Sequence, residues 1–294
     1  MRLSAGGDAR PLFCVHPSGG SASWYTALAR ALPSHRPVMA FELPGAHSTG
    51  EPCDTIEALA EEYLTHLLRA QPAGPYALMS WSYGGLIAFE MARRLTAAGH
   101  RVDPLILIEP TLPRDPVSAE GHRTAAELYG TAADLVEKAA AAPENSSERA
   151  RLEAAAADFF DSLEWGPGRS ALATALPLRA CGLLHQAYQD FDPGVFGGDI
   201  QLVLSRAGLA ASSERPATVL HDSARRYLDG WRHLVAGDLR VHESGGDHMS
   251  MVAPSNAADL AALCERLCAQ NDPQRQDGET RETGAGVITS RRQH

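Results

Sequence analysis

The chain lacks the features of several large protein classes. It contains no stretch approaching the roughly 20 consecutive apolar residues of a membrane-spanning helix. We expect no secretory signal at Met1, because Arg2 is followed by a Gly-rich segment rather than an apolar run. Positive charge is also in short supply, since 26 Lys and Arg stand against 36 Asp and Glu, a formal net charge of −10. We therefore expect a cytoplasmic protein whose partners are neither membranes nor nucleic acids.

Cysteine is scarce, and its spacing is not that of a metal site. The closest pair, Cys264 and Cys268, would share one helix face, where we interpret both as small buried thiols. An odd number of scattered thiols suits a reducing compartment. We expect neither a metal nor a resident cofactor. The full set, which contains no CxxC pair, is Cys14, Cys53, Cys181, Cys264 and Cys268.

The chain does contain short apolar runs that alternate with helical segments. Nearly continuous apolar strands separated by helices are typical of a mostly parallel sheet covered on both faces, which is an α/β fold. A chain of 294 residues is long enough for one sizeable core with an elaboration. The predicted strands in the first part are Leu12–His16, Val38–Phe41, Pro75–Ser80 and Leu105–Ile108.

This alternation stops after Pro113 and resumes at Ile200. The sequence between is rich in Ala, Glu and Arg at helical spacing, and it predicts helices interrupted near Pro143 and near Gly166–Gly168. An insertion of this kind in an enzyme is usually a lid, with a fixed structural cap as the alternative. The predicted division is core 1–116, helical lid insertion 117–195, core 196–269 and disordered polar tail 270–294.

The segment around Ser82 has the pattern of a nucleophile elbow. A strand runs into Ser82, a helix follows at once, and the residues two positions before and after it, Ser80 and Gly84, are small. Larger side chains at those two positions would collide with the neighbouring strand and helix. The bend would lift the hydroxyl above the sheet at a helix N-terminus, where N–H groups favour a developing anion. Ser82 is the predicted nucleophile, and Ser80 is not, because it lies at the strand end.

A serine hydroxyl needs a base, and His248 is the predicted one. The strand predicted at Leu239–Glu243 ends in a Gly-Gly loop that presents this histidine after the serine in chain order. His242 would lie inside that strand, and we interpret it as a packed histidine. His16 precedes the serine and does not fit the order.

The base needs a carboxylate that holds its tautomer, and Glu109 is the predicted one. It follows the strand after the elbow helix, one of the two usual places for this residue. The other place, Leu204–Ala207, offers no carboxylate. Asp115 is the reserve candidate. Asp247 is adjacent to the histidine and would point elsewhere.

The oxyanion hole is expected to use two backbone N–H groups. One belongs to Tyr83, the residue after the nucleophile. The other belongs to Ser18 or Gly19, in the loop after the first strand, where glycines permit close approach of the backbone.

Four motifs in this order resemble the type I-like thioesterase domains of non-ribosomal peptide synthetases and polyketide synthases, over roughly residues 10–268. Two positions depart from that family: Glu109 stands where Asp is common, and Ser80 stands where Gly is usual. The resemblance implies the α/β-hydrolase superfamily fold, mostly parallel, with a helical lid. The motifs are Leu12–Gly20, Trp81–Gly85, Ile106–Pro110 and Gly246–His248.

The resemblance also implies a substrate and a partner. The substrate would be an acyl or peptidyl chain on the phosphopantetheine arm of an acyl or peptidyl carrier protein. The chain would be released through a Ser82 acyl-enzyme, by hydrolysis or cyclisation, and we expect a monomer. Open alternatives are an editing thioesterase that clears misprimed carriers, a small-molecule carboxylesterase or lipase with the same triad, and a non-catalytic protein on this fold. Editing enzymes of the related second type usually place the acid after the later strand, which favours product release here.

Overall fold

A seven-stranded sheet forms the centre of the protein. The computed structural model describes residues 1–4, 6–45, 53–162, 175–206 and 219–270. The strand order is β1-β3-β2-β4-β5-β6-β7, and every neighbouring pair is parallel except the antiparallel pair of β1 with β3. The strands are β1 (Arg2–Ser4), β2 (Leu12–Val15), β3 (Val38–Phe41), β4 (Tyr76–Trp81), β5 (Val102–Ile108), β6 (Ile200–Ser205) and β7 (Leu239–Ser244).

Helices fill most of the connections between strands. A 3₁₀ helix at Ala22–Tyr25 and another at Ser250–Val252 precede α1 and α8. Within the described ranges, no helix combines the length and the apolarity needed to cross a membrane. The α-helices are α1 (Thr26–Ala31), α2 (Ile56–Ala70), α3 (Gly84–Ala97), α4 (Pro116–Ala141), α5 (Ser147–Ser162), α6 (Ala175–Asp190), α7 (Val219–His233) and α8 (Ala257–Ala269).

The mostly parallel sheet with helices confirms the predicted fold class, with small differences at element ends. The helical segment after β2 is divided, because its first turn is a 3₁₀ helix. The strand predicted at Leu105–Ile108 begins earlier, at Val102. β1 was not predicted, since its three residues are too few to show a pattern.

Alternating side chains of the strands supply two cores, one on each face of the sheet. Phe13, Leu78 and Leu107 belong to the core that includes residues of α2 and α3. Cys14 and Met79 belong to the opposite core, with residues of α1 and α8. This period of two places the apolar face of each helix against a strand, which is what covers both faces of the sheet.

Of the described helices, α4, α5 and α6 come between β5 and β6 in the chain, where the lid insertion was predicted. Asp115 begins α4, because its carboxylate accepts a hydrogen bond of 2.8 Å from the backbone N–H of Ser118. α4 ends just before Pro143, in accord with the predicted interruption there. The interruption predicted at Gly166–Gly168 and nearly all of the predicted tail, from 271, lie outside the described residues.

The sheet order reverses between β2 and β4, which are adjacent although β3 lies between them in sequence. Crevices outside the carboxyl ends of strands at such a reversal are the usual ligand sites of open α/β sheets. The loop after β2 and the turn after β4 therefore meet at one edge of the sheet.

Candidate active site

The turn after β4 is as tight as the elbow pattern predicts. Ser82 has a φ of +59°, a left-handed conformation that is uncommon for a residue other than glycine. A Cβ atom added to Gly84 would lie 2.3 Å from the carbonyl oxygen of His16, so only glycine fits there. Ser80 is fully buried at the end of β4, and its hydroxyl has no hydrogen-bond partner among the described residues. The bend exposes the hydroxyl of Ser82 and hides that of Ser80.

The side chains of Ser82, His248 and Glu109 form a continuous chain of contacts. His248 Nε2 lies 3.2 Å from Ser82 Oγ. His248 Nδ1 lies 2.7 Å from Glu109 Oε2. The imidazole thus stands between a hydroxyl and a carboxylate, an arrangement in which it can accept the hydroxyl proton while the carboxylate stabilises the resulting imidazolium.

Glu109 is held by two contacts with the neighbouring strand β6. Its backbone has a φ of +38°, and its N–H donates to the carbonyl of Val203 at 2.8 Å. Its Oε1 accepts a hydrogen bond of 2.8 Å from the backbone N–H of Ser205. Burial tends to raise the pKa of Glu109, but the hydrogen bonds from His248 and Ser205 outweigh burial and lower this pKa below its ordinary value. The side chain is therefore a carboxylate at neutral pH.

The reserve candidate Asp115 and the adjacent Asp247 are both engaged elsewhere. Asp247 Oδ1 accepts hydrogen bonds from the backbone N–H groups of Met249 and Ser250, at 3.1 Å and 2.8 Å. These bonds fix the loop that presents His248. Asp115 caps α4, as described above. Within the described part of the chain, neither carboxylate forms a hydrogen bond with the imidazole of His248.

The loop after β2 lies beside the elbow. Ser18 and Gly19 line a cavity of about 260 Å³ together with Ser82 and His248. Gly20 closes the loop with a φ of +74° and a hydrogen bond of 2.9 Å from its N–H to the carbonyl of Pro17. The predicted oxyanion donors of this loop are thus at the same cavity as the serine hydroxyl. Tyr83, the other predicted donor, immediately precedes α3.

His16 is a structural residue in this arrangement. It is fully buried, with Nδ1 2.7 Å from the carbonyl oxygen of Pro17 and Nε2 2.7 Å from the hydroxyl of Tyr63. Burial lowers the pKa of His16 to about 4, so its imidazole is neutral. His242 lies in β7 with Nε2 2.7 Å from Gln201 Oε1. Neither histidine competes with His248 for the serine.

Sequence reasoning missed three contributors to this site. The N–H of Ser205 supports Glu109, but a backbone contact leaves no trace in residue type. Tyr25 joins two strand ends, because its hydroxyl accepts from the N–H of Trp81 at 2.9 Å and donates to the carbonyl of Val15 at 2.6 Å. Trp81 packs against the imidazole of His248. The position of Trp81 directly before the nucleophile was the one available signal.

The described residues hold no disulfide and no metal-binding cluster. All five cysteines are unpaired, and Cys264 and Cys268 are buried. In the part of the chain that the structure describes, no group of three or more His, Cys, Asp or Glu side chains could hold a metal ion.

Comparison with protein families identifies the chain. The family described as Thioesterase domain matches residues 10–268. The chain belongs to the thioesterase domain family. The resemblance seen in the four motifs is therefore confirmed, and the family together with the hydrolase fold indicates an enzyme with hydrolase activity.

Relatives of this thioesterase domain include much larger proteins. Malpinin synthetase of Mortierella alpina is 28% identical over 275 residues, which cover 90% of this chain but 3% of the synthetase. A non-reducing polyketide synthase of Aspergillus ustus is 29% identical over 279 residues, 88% of this chain and 13% of that protein. The chain thus spans only a small part of the curated relatives it matches.

Solved structures share the fold. The NocB thioesterase domain, crystallised as a covalent complex with a fluorophosphonate nocardicin G analog, superposes with a TM-score of 0.55 at 24% identity, over 89% of this chain and 95% of that chain. This likeness establishes the α/β-hydrolase fold of the thioesterase domain.

Proposed function

We propose that this protein is a serine thioesterase that releases an acyl or peptidyl chain from the phosphopantetheine thioester of a carrier protein. The observation that carries the proposal is the chain of contacts from Ser82 through His248 to Glu109 at the bend after β4. Here a hydroxyl at the start of a buried helix lies within reach of an imidazole, and a carboxylate orients that imidazole. Enzymes use this arrangement of groups for acyl transfer.

In the proposed reaction His248 removes the hydroxyl proton of Ser82 while the Oγ atom of Ser82 attacks the thioester carbonyl. The oxyanion is stabilised by the N–H of Tyr83 and by that of Ser18 or Gly19. His248 then returns the proton to the departing sulfur, which leaves as the thiol of the carrier's arm, and an acyl-serine ester remains. Water, or an amine or hydroxyl of the chain itself, next attacks this ester, with His248 again taking and returning a proton.

Two observations support a natural-product substrate. The relatives at 28% and 29% identity are named as a synthetase and a polyketide synthase. The NocB thioesterase domain with the same fold was trapped covalently by a fluorophosphonate analog of nocardicin G. By this likeness the partner of our protein is a carrier protein, and the α4–α6 insertion is the lid over the acyl chain.

The first test is covalent labelling of Ser82 by a fluorophosphonate. We expect stoichiometric labelling of the wild-type protein and none of Ser82→Ala. His248→Ala is expected to label slowly and to lack turnover, with unchanged thermal stability in both variants. Labelling at a residue other than Ser82 would contradict the mechanism.

The second test separates a thioesterase from a carboxylesterase with the same residues. Turnover of an acyl-pantetheine thioester is compared with that of the matching oxygen ester. We expect the thioester to be preferred, and a strong preference for the ester would favour a small-molecule esterase. Mass spectrometry of acyl-Ser82, trapped with carrier-bound substrates, then identifies the chain and shows whether an acid or a ring is released.

A further inference from the structure

His248 has hydrogen-bond contacts at its two ring nitrogens, 2.7 Å to Glu109 and 3.2 Å to Ser82, and is otherwise open to solvent on much of its surface. Its side chain is 45% exposed. The contact to Ser82 is the longer of the two, and the short hydrogen bond at Nδ1 by itself leaves the ring free to turn about the axis from Nδ1 to the carboxylate oxygen. Turning would carry Nε2 away from Ser82, whose oxygen is already at 3.2 Å. Something else must fix the plane of the imidazole.

The indole of Trp81 lies against that imidazole. The two ring centroids are 5.3 Å apart with an interplanar angle of 39°. Trp81 is only 2% exposed, so its own position is set by its surroundings. A buried ring that packs beside an exposed one supplies the restraint that the hydrogen bond lacks.

Trp81 is fixed from two directions by the 3₁₀ helix at Ala22–Tyr25. Its backbone N–H donates to the hydroxyl of Tyr25 at 2.9 Å. Its indole packs against that of Trp24, with centroids 5.1 Å apart at 60°. The same helix follows the loop of Ser18 and Gly19, so the predicted oxyanion donors and the imidazole are supported by one element. Trp24 and Trp81 also line the cavity that contains Ser82.

The indole of Trp81 contributes its ring rather than its N–H group. Its Nε1 is buried and has no hydrogen-bond partner among the described residues. If the indole N–H were the functional group, we would expect a hydrogen-bond acceptor beside it, because an unpaired buried donor is destabilising. The aromatic face also attracts cations, and an imidazolium is the cation that forms at this position during acyl transfer.

We propose that Trp81 is a positioning residue for His248: its indole fixes the plane of the imidazole toward Ser82 and stabilises the imidazolium formed when the serine attacks. This inference rests on the proposed function. Among the described residues, the titratable groups that face His248 are Glu109 from the end of β5 and Asp247 from its own loop. Trp81 and Trp24 carry no charge, so a change at Trp81 alters neither carboxylate.

The test measures the second-order rate of fluorophosphonate labelling against pH in the full chain. For Trp81→Leu we expect the rate at neutral pH to fall about 3- to 30-fold, the range that a lost cation–π contact supplies. The midpoint of the acidic limb is expected to move to lower pH by about half a unit to one unit, because the imidazolium loses its aromatic neighbour. Trp81→Phe retains an aromatic face and should stay within about threefold of wild type with the same midpoint.

The control is the same truncation at Trp231→Leu, a buried indole of α7 that packs against Phe89. It should lower the melting temperature without moving the midpoint. Should Trp81→Leu fail to fold, Trp81→Met, equally apolar and more adaptable, replaces it.

The outcomes separate this inference from the proposed function. Absence of labelling at Ser82 in the wild-type protein refutes the proposed function, and the role of Trp81 with it. Suppose that the wild-type protein is labelled normally and that the acidic midpoint of Trp81→Leu equals that of wild type. This result would overturn the positioning role of Trp81 but not the proposed function, whatever the labelling rate of the variant. A Trp81→Phe variant as impaired as Trp81→Leu would also overturn it, since an aromatic face would then be insufficient.

Discussion

Gly84 decides whether the bend at Ser82 can form. Any Cβ at this position meets the backbone of β2's carboxyl end, at 2.3 Å from one carbonyl oxygen and 2.9 Å from another. Backbone atoms cannot swing aside as a flexible side chain would. We expect Gly84→Ala to lower the free energy of unfolding by about 1–3 kcal/mol or more and to slow labelling of Ser82, as measured by urea unfolding and fluorophosphonate trapping.

The matched control for Gly84→Ala is Ser80→Ala on the other side of the bend. This substitution deletes a buried hydroxyl that lacks a partner among the described residues, so stability should stay equal or rise. If Gly84→Ala were as stable as Ser80→Ala, the close contact between α3 and β2 would not be what restricts the elbow.

Glu109 can be tested through its charge without changing its shape. Glu109→Gln retains an oxygen for the N–H of Ser205 but loses the carboxylate that faces His248. We expect kcat to fall by a factor of roughly 10⁴ or less, as for amide substitutions that disturb the tautomer of a catalytic histidine. Steady-state kinetics on a thioester measure this. Asp115→Asn is the control. This substitution should leave kcat unchanged, because the carboxylate of Asp115 caps α4 and does not contact His248. Full activity of Glu109→Gln would show that another residue is the acid.

Ser82, Glu109 and His248 could be predicted together because each lies in the turn or loop that follows a strand. Parallel strands end at one edge of the sheet, so residues far apart in sequence meet there. The support from Ser205 could not be predicted in this way. It depends on the register of β5 against β6, in which Ile108 faces Val203, and register is set by pairing across the sheet rather than by the local sequence.

At the level of helices, α4 and α6 are joined to the core by a cluster of aromatic rings above α3. The hydroxyl of Tyr83 donates a buried hydrogen bond to the carbonyl of Leu184 in α6. The ring of Tyr83 also packs against His122 of α4 and His185 of α6, at centroid distances of 5.1 Å and 5.6 Å. Helical periodicity predicted these helices, but not this docking, because the partners come from distant parts of the chain.

Tyr83→Phe tests how the insertion is attached. The substitution removes the bond to Leu184 and leaves the backbone N–H of residue 83 in place. We expect faster amide hydrogen exchange in α6, a loss of about 1 kcal/mol of stability, and labelling of Ser82 within about threefold of wild type. Unchanged exchange in α6 would show that ring packing and the ion pairs of Arg179 with Glu137 and Asp134 suffice to hold it.

For the whole molecule, buried neutral histidines make stability depend on pH. Burial lowers the pKa of His16 to about 4, and burial with the neighbouring His122 lowers that of His185 to about 3. In the unfolded chain a histidine has a pKa of about 6.5. Below that pH the unfolded state binds more protons than the folded state, because the pKa of each buried histidine is lower in the folded state. The stability contributed by each histidine is thus complete above pH 6.5 or so and decreases as the pH falls below it.

Carboxylates act in a different pH range. Burial tends to raise the pKa of Glu90 and Glu265, but hydrogen bonds from arginines outweigh it, and both values are lowered. Their stabilising effect is present above the unfolded pKa of about 4.3 and is lost only as the pH falls through the lower folded value. Any loss of stability between pH 7.5 and 5.5 therefore reports the histidines.

We accordingly expect the free energy of unfolding, measured by urea denaturation, to fall between pH 7.5 and 5.5 by about 1 kcal/mol for each of His16 and His185. His185→Gln should lower stability at pH 7.5 but show a loss on acidification smaller by about that same 1 kcal/mol. His66→Gln, at an exposed site of α2, should retain the wild-type difference between the two pH values. Equal pH dependence in all three proteins would mean that His185 is protonated in the folded state, and its packing between α4 and α3 would then need a charged partner.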